Sequence, residues 1–464
     1  MRFHHSPAAR FTWLLAYALF AHVWLVNIAS AQESTTAKPN VVLILSDDQA
    51  WNDYGFMGHA QIETPNLDQL ASEGVLFRRG YVPTSLCRPS LMTLITGHYA
   101  YSHGVTGNDP SPKYAEKSSE LYAQRRAELI SNIDRFETLP ELLAEQGYLS
   151  HQSGKWWEGN YRRGGFSHGM TRGFPEPGGR HGDDGLKIGR EGMEPIREFV
   201  DMAVEQEKPF FLWYAPFLPH TPHNPPKRLL DKYRRDDLPL TIAKYYAMCE
   251  WFDESCGELM KILKNSGQLD NTLVVYVTDN GWIQNPERNG YAPRSKQTPY
   301  EGGIRTPIMF SWPGKLQAAD RPELVSSIDL VPTILAAAGA RQPDGLPGLN
   351  LWPLLQTGDR IEREAVFGEG FAHDVADTKK PEASLLYRWC IAGKWKLIMT
   401  YDGEVNRYTS THPRTEIGPQ LFDLLADPTE QDNVAASNPD VVARMLGKLN
   451  AWYPVKERKT LVSF

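Results

Sequence analysis

The chain has 464 residues, of which 41% are hydrophobic, 11% aromatic and 23% charged, a balance that excludes a disordered or fibrous polypeptide. Its formal net charge of −7, with no long basic block, excludes nucleic acid as an expected partner.

In chain order, residues 1–31 read first as a signal peptide. Arg2, His4, His5 and Arg10 make a cationic start, "FTWLLAYALFAHVWLVNI" is the apolar run, and Ala29 and Ala31 supply the small residues of a cleavage site. The run is close to a membrane-spanning length, but His22 and Asn27 inside it and the small-residue site after it favour cleavage. The expected product is exported to the periplasm or the extracellular space, with no stable membrane insertion. What remains is long enough for one large domain and a smaller one.

Six short β-branched or aromatic runs follow: "NVVLILS" (40–46), "GVLFRRGYV" (74–82), "YLSHQSG" (148–154), "PFFLWYAPF" (209–217), "TLVVYVTDNG" (272–281) and "TPIMFSWPG" (306–314). Between them "TPNLDQLASEG", "TLPELLAEQG", "IREFVDMAVEQE" and residues 241–265 carry helical spacing. Near-continuous apolar strands alternating with helices predict an α/β fold, a large and mostly parallel sheet covered on both faces. Ligands on such sheets bind at the carboxyl ends of the strands. Residues 109–135 read as a helical excursion. Residues 158–192, with eleven glycines and Arg162, Arg163, Arg172, Arg180 and Arg190, read as a long mobile loop, either a solvated connection or a functional lid. From residue 365 onward, hairpin-like alternation and a closing helix at 439–453 predict a small C-terminal α+β domain (365–464) after a catalytic domain of 32–364.

Four cysteines are too few for a disulfide framework in an exported chain of this size. Cys249 and Cys256 fall two turns apart on a predicted helix, about 10 Å, beyond disulfide reach. Cys87 is then left without a partner, a liability in an oxidising compartment unless it is buried or chemically converted.

Strand 40–46 runs into Asp47-Asp48, and strand 272–278 runs into Asp279-Asn280. Each pair alone is also the composition of a solvated strand end or a helix cap. Together they place three carboxylates and an amide, all hard oxygen donors, at one end of a sheet, which suits Ca²⁺ or Mg²⁺ rather than zinc. Lys155, His220 and Lys296 lie at or beside other strand ends, and cations beside a divalent metal make a site for a tetrahedral oxyanion. Tryptophans 156, 157, 213, 251 and 282 fit either sugar stacking or a core.

The segment "CRPSLMTLITG" (87–97) resembles the signature of the type I sulfatases, within the alkaline phosphatase-like superfamily. "NVVLILSDDQAWNDYG", "TPNLDQLASEGVLFRRGYV", "GKWW", "PHTPH", "VTDNG" and "EGGIRTP" are similar to further family blocks, in family order, over about residues 39–360. The resemblance implies that Cys87 is oxidised during export by a formylglycine-generating or equivalent maturation enzyme. The resulting aldehyde, hydrated, is implied to be both metal ligand and nucleophile, and Asp47, Asp48, Asp279 and Asn280 are implied to be the other calcium ligands. Lys155 and Lys296 are implied to hold sulfate oxygens, with His220 and Lys296 assisting departure of the alcohol. His103, near a family His-Gly element, has a structural role equally open.

Two positions depart from the family pattern. Leu91 stands where the family usually has Arg, and Trp157 where it usually has the His assigned as the base that releases sulfate. The expectation is that the 158–192 loop compensates, with His168 as stand-in base and substrate contact and one of its arginines as the replacement guanidinium. The resulting reading is an exported, calcium-dependent hydrolase of sulfate monoesters acting on a sulfated small molecule or glycan. The alternatives are a phosphate- or phosphonate-monoester hydrolase of the same fold and a non-catalytic sulfated-glycan-binding descendant.

Overall fold

The computed structural model describes Met1 and residues 38–176, 184–408 and 418–455. The signal-peptide segment after Met1 and Arg180 lie outside these residues.

The main sheet is built from β1 (Asn40–Ser46), β2 (Val75–Tyr81), β4 (Leu149–Gly154), β5 (His168–Gly169), β6 (Phe210–Ala215), β7 (Thr272–Thr278), β8 (Arg305–Ser311), β9 (Ala319–Arg321) and β10 (Val325–Ser326). A two-residue strand β3 (Asp109–Pro110) pairs elsewhere, with β12 (Asp374–Val375). The order across the main sheet is β10-β2-β8-β7-β1-β6-β4-β5, with β9 also on β2. Strands β7, β1, β6, β4 and β5 are mutually parallel, whereas β8 runs antiparallel to both β7 and β2. The sheet is therefore mixed and mostly parallel, as its apolar runs predict.

Alternation along β1 divides the core. Val41, Leu43 and Leu45 pack with Leu91, Leu94 and Ile95 of α2 (Cys87–Thr96) and with Leu330 and Ile334. Val42 and Ile44 face Leu67 and Leu70 of α1 (Pro65–Glu73), Phe199 and Val200 of α5 (Glu194–Glu205), and Met248 and Phe252 of α6 (Leu240–Asn265). Each such side chain contributes about 1.5–3 kcal/mol by leaving water, so β1 is clamped from both faces and its carboxyl end is rigid. The excursion at 109–135 contains α3 (Glu120–Ser131), and α4 (Leu139–Ala144) follows it, opened by a Thr138/Glu141 capping box.

The C-terminal region carries an antiparallel sheet ordered β11 (Val366–Phe371), β13 (Leu385–Ala392), β14 (Trp395–Thr400), β15 (Gln420–Asp423). Cys390, Leu397, Met399 and Leu421 on one face meet Met445 and Leu449 of α7 (Pro439–Trp452). Tyr387, Trp389, Ile398 and Phe422 on the other join the main core. All four cysteines are free and buried, and Cys249 and Cys256 share α6 as expected.

The glycine-rich segment differs from its reading as a lid. His168–Gly169 pairs in parallel with His151–Gln152 as the edge strand of the main sheet, and the Met170 and Thr171 N–H groups donate to Gln152. Backbone pairing to β4 fixes this part of the loop against the sheet. Among the described residues no helix is long and apolar enough to cross a membrane.

Candidate active site

Parallel order brings the predicted residues to one edge. Strands β7, β1 and β4 end at Asp279-Asn280, Asp47-Asp48 and Lys155, and the chain leaving β6 reaches His220. Strand β2 runs parallel to β7, so its carboxyl end also delivers the chain to Cys87 at the start of α2. Antiparallel β8 begins at this edge, which places Lys296 there. Local chemistry aims each group. Asp48 adopts a left-handed φ of 65°, tolerated by Asp, and its N–H donates to Asp279 Oδ1 at 3.1 Å. Gly154 has φ +90°, and a Cβ there would lie 1.9 Å from the Ala215 carbonyl oxygen, so only glycine allows the turn that presents Lys155.

The result is a buried charge cluster. Lys155 Nζ donates to both oxygens of Asp47 at 2.7 Å and lies 3.6 Å from Asp279 Oδ2. Lys296 Nζ donates to Asp48 Oδ1 at 2.5 Å and sits 3.0 Å from Cys87 Sγ. Asn280 Nδ2 also donates to Asp48 Oδ1, at 2.6 Å. Burial alone would raise Asp48, but Lys296, His220 and Lys155 outweigh it and hold the carboxyl at about 2. Asp279 goes the other way: burial, then repulsion from Asp47, pushes it well above the usual carboxylate range. Burial pushes the Cys87 thiol up to about 12, leaving a neutral and weak nucleophile.

The arrangement fits a cation. Asp48 Oδ2, Asp279 Oδ2 and Asn280 Oδ1 are buried oxygens that accept no hydrogen bond, a costly state unless something positive faces them. Ligand atoms of Asp47, Asp48, Cys87 and His220 lie within 4.8 Å of one another. The His220 ring donates from Nδ1 to the Thr221 carbonyl at 2.6 Å. Burial pulls its pKa down to about 4 against Asp47 and Asp48, so the neutral ring turns its Nε2 lone pair toward Asp48 Oδ2, 3.3 Å away. Two acceptors at that distance are satisfied by a proton or by a cation between them.

These groups open onto a cavity of about 360 Å³ whose walls also include Asn108, Trp157, Trp282, Tyr291 and His373. The family model "Sulfatase" matches residues 39–340 of the chain. The chain belongs to the sulfatase family. A second family model, "N-sulphoglucosamine sulphohydrolase, C-terminal", matches residues 294–452 of this sulfatase. It is 30% identical to bovine arylsulfatase A over 91% of its own length and 89% of that protein's. It is 32% identical to human N-acetylgalactosamine-6-sulfatase over 72% of this chain and 68% of that one. Among solved structures, Ps i-CgsB in complex with k-i-k-neocarrahexaose superposes with a TM-score of 0.68 at 25% identity, covering 89% of this sulfatase and 92% of that chain.

Two expectations are corrected by the geometry. His168 is not brought to the site. It pairs with His151, four residues before Lys155, hence roughly 13 Å down the sheet from its carboxyl edge. Its ring packs toward Phe199 of α5 and its Nδ1 meets Ser167 Oγ at 2.9 Å. His168→Ala is accordingly expected to change kcat and KM by less than about twofold in steady-state assays. Nor does an arginine of the loop enter the cavity among the described residues. Arg163 pairs with the exposed Asp134, whereas Arg190 donates to the Phe217 and His220 carbonyls and so braces the His220 turn from outside. His103 is structural, buried beneath α2 with Nε2 3.3 Å from Thr93 Oγ1.

Leu91 and Trp157 are both core residues of this chain, 4% and 6% exposed, so the departures are absorbed by packing. The guanidinium beside position 87 is that of Arg88, bound twice to Glu158 at 2.7 Å in a fully buried ion pair. Sequence reading missed Arg88, Glu158, Asn108 and His373. Only the Cys-x-Pro spacing pointed near Arg88, and no local signal marks the other three.

Proposed function

We propose that this sulfatase is an exported hydrolase of sulfate monoesters on glycans, using a divalent cation, Ca²⁺, and a formylglycine made from Cys87 by a maturation enzyme. The observation that carries the proposal is the set of partnerless buried oxygens around Cys87. Asp47, Asp48, Asp279 and Asn280 would hold the ion, an all-oxygen set suited to Ca²⁺, with Mg²⁺ the other hard candidate. Once bound and formed, the ion and the converted residue supply Lewis acidity and an oxygen nucleophile that a buried thiol lacks.

Charge balance favours sulfate over phosphate monoesters. Asp47, Asp48 and Asp279 set three negative charges against the two ammonium groups of Lys155 and Lys296. A divalent ion converts the excess of one negative charge into one positive charge. That matches the single charge of a sulfate monoester, whereas a phosphate monoester dianion leaves a buried surplus. Lys155 and Lys296, each held well above the ordinary ammonium range by its carboxylate partner despite burial, would remain charged and orient sulfate oxygens. Lys296, an ammonium donor in the cavity, would give the departing alcohol its proton, with His220 beside it assisting the departure. The first turn of α2 adds positive backbone dipole. The names of the compared relatives support a sulfated glycan as substrate, N-acetylgalactosamine-6-sulfatase and a complex with neocarrahexaose among them. We further propose residues 32–364 as the catalytic domain and 365–464 as a small C-terminal domain closing one wall of its cavity.

The test joins mass and metal. The proteolytic peptide containing Cys87 should carry a carbonyl oxygen in place of sulfur. Sulfate release from sulfated oligosaccharides should stop on chelation and return with Ca²⁺ better than with Zn²⁺. Undiminished turnover by protein shown metal-free by elemental analysis overturns the metal proposal.

A further inference from the structure

The cavity holds a second histidine with no task in that account. His373 lies between β11 and β12, with its side chain 12% exposed. Its Nδ1 is 2.6 Å from Asp374 Oδ1, and Asp374 Oδ2 is 2.8 Å from Arg407 Nε. A carboxylate at that distance fixes the ring proton on Nδ1 and leaves a lone pair on Nε2. Nε2 accepts from Asn108 Nδ2 at 3.2 Å, and Asn108 Oδ1 accepts the Arg88 N–H, the first peptide after Cys87, at 3.4 Å. The backbone repeats the link: Asn108 N–H donates to the His373 carbonyl at 2.8 Å, and β3 pairs with β12. Cys87 and His373 therefore line one cavity, separated by a single amide side chain.

The cavity's other basic side chains are differently engaged. Lys155 and Lys296 are ammonium donors, the lone pair of His220 faces Asp48, and Trp157 has no basic nitrogen. Hydrolysis of R–O–SO₃⁻ by water forms one S–O bond and breaks another. The alcohol leaves with one proton, and a second proton must leave the attacking oxygen.

We propose that His373, oriented by Asp374, is the acceptor of that second proton. The O–H pair stays on oxygen, Nε2 takes the proton, and the imidazolium returns it to solvent through the cavity mouth. The inference rests on the sulfate-ester reading. It places a general base on the C-terminal region, across the cavity from the proposed ion. The charged and titratable groups around the ring are Asp374, Arg407, Lys296 and Tyr408. Burial, the largest influence, holds the ring below the ordinary imidazole range; Arg407 and Lys296 add to this and Asp374 opposes it. The ring is thus neutral and able to accept at pH 7.

The experiment compares full-length wild-type protein with His373→Gln and Asp374→Asn. A base must be unprotonated, so wild-type kcat/KM should rise with pH along an acidic limb. His373→Gln should lose that limb and lower kcat by about 10²–10³-fold, with KM within about threefold. Asp374→Asn should fall between. A second readout needs no turnover: calorimetry of inorganic sulfate binding to the Cys87→Ala protein in buffers of different ionisation enthalpy. Binding should take up protons, and adding His373→Gln should abolish the uptake. A folded His373→Gln with the limb intact, or with only KM changed, overturns the proposal. If that variant does not fold, absence of proton uptake by Cys87→Ala alone overturns it. A wild-type enzyme that, with its metal and converted residue verified, fails to release sulfate refutes the functional reading instead.

Discussion

Cys87→Ala is expected to lower sulfate release by about three orders of magnitude or more while leaving the fold intact. The catalytic loss follows from the double duty proposed for position 87, whose converted side chain would be both nucleophile and metal ligand. The small structural cost follows from its surroundings. The side chain is 1% exposed, and its polar neighbour is Lys296, which keeps its 2.5 Å bond to Asp48 when the sulfur is removed. Deleting one sulfur leaves a void costing about 1 kcal/mol. Thermal melting should shift by no more than a few degrees, and the activity assay needs protein free of host sulfatases. Near wild-type rates from Cys87→Ala would overturn the mechanism.

The parts of this site that were legible in the sequence are those written within single segments. "LILSDDQ" and "VYVTDNG" each join a strand to its proposed ligands, and a short β-branched apolar run with no polar alternation fits a strand covered on both faces, as β1 and β7 are. The direction of β8 was not legible, because "TPIMFS" has the same pattern either way; the chain returns through the Lys296 segment and enters from the carboxyl edge. His168 misled for a physical reason. Glycine density suggested mobility, but two residues of backbone pairing to β4 fix this segment. Asn108 and His373 meet across 265 residues, and no short-range pattern encodes that contact. Trp157 likewise marks a missing histidine in the sequence, whereas the second imidazole lining the cavity, His373, comes from the C-terminal region.

Asp279→Asn is expected to separate stability from function in opposite directions. Oδ1 of Asp279 accepts from the amides of Asp48 and Asn280 at 3.1 and 2.6 Å, and an asparagine oxygen can keep both bonds. Oδ2 accepts none, and its nearest cation, Lys155, is 3.6 Å away and committed to Asp47. Without metal, burial and the Asp47 charge disfavour the ionised carboxyl and raise its pKa well above normal. The sign follows. A carboxyl with a raised folded-state pKa binds its proton more tightly than in the unfolded chain, so metal-free stability falls as pH rises above about 3.9. Asparagine has no such penalty, and the metal-free variant should be more stable at pH 7 by roughly 1 kcal/mol or more. The same substitution turns a donor amide toward the proposed ion and removes one ligand charge. Wild-type protein at a hundredfold excess of Ca²⁺ over Kd should gain about 2.7 kcal/mol, and the variant should gain none while losing sulfate release. Calorimetric Ca²⁺ titration with paired melts reads both effects. A variant that binds Ca²⁺ like wild type removes Asp279 from the ligand set, whatever its activity, because an amide aimed at a cation cannot replace a carboxylate.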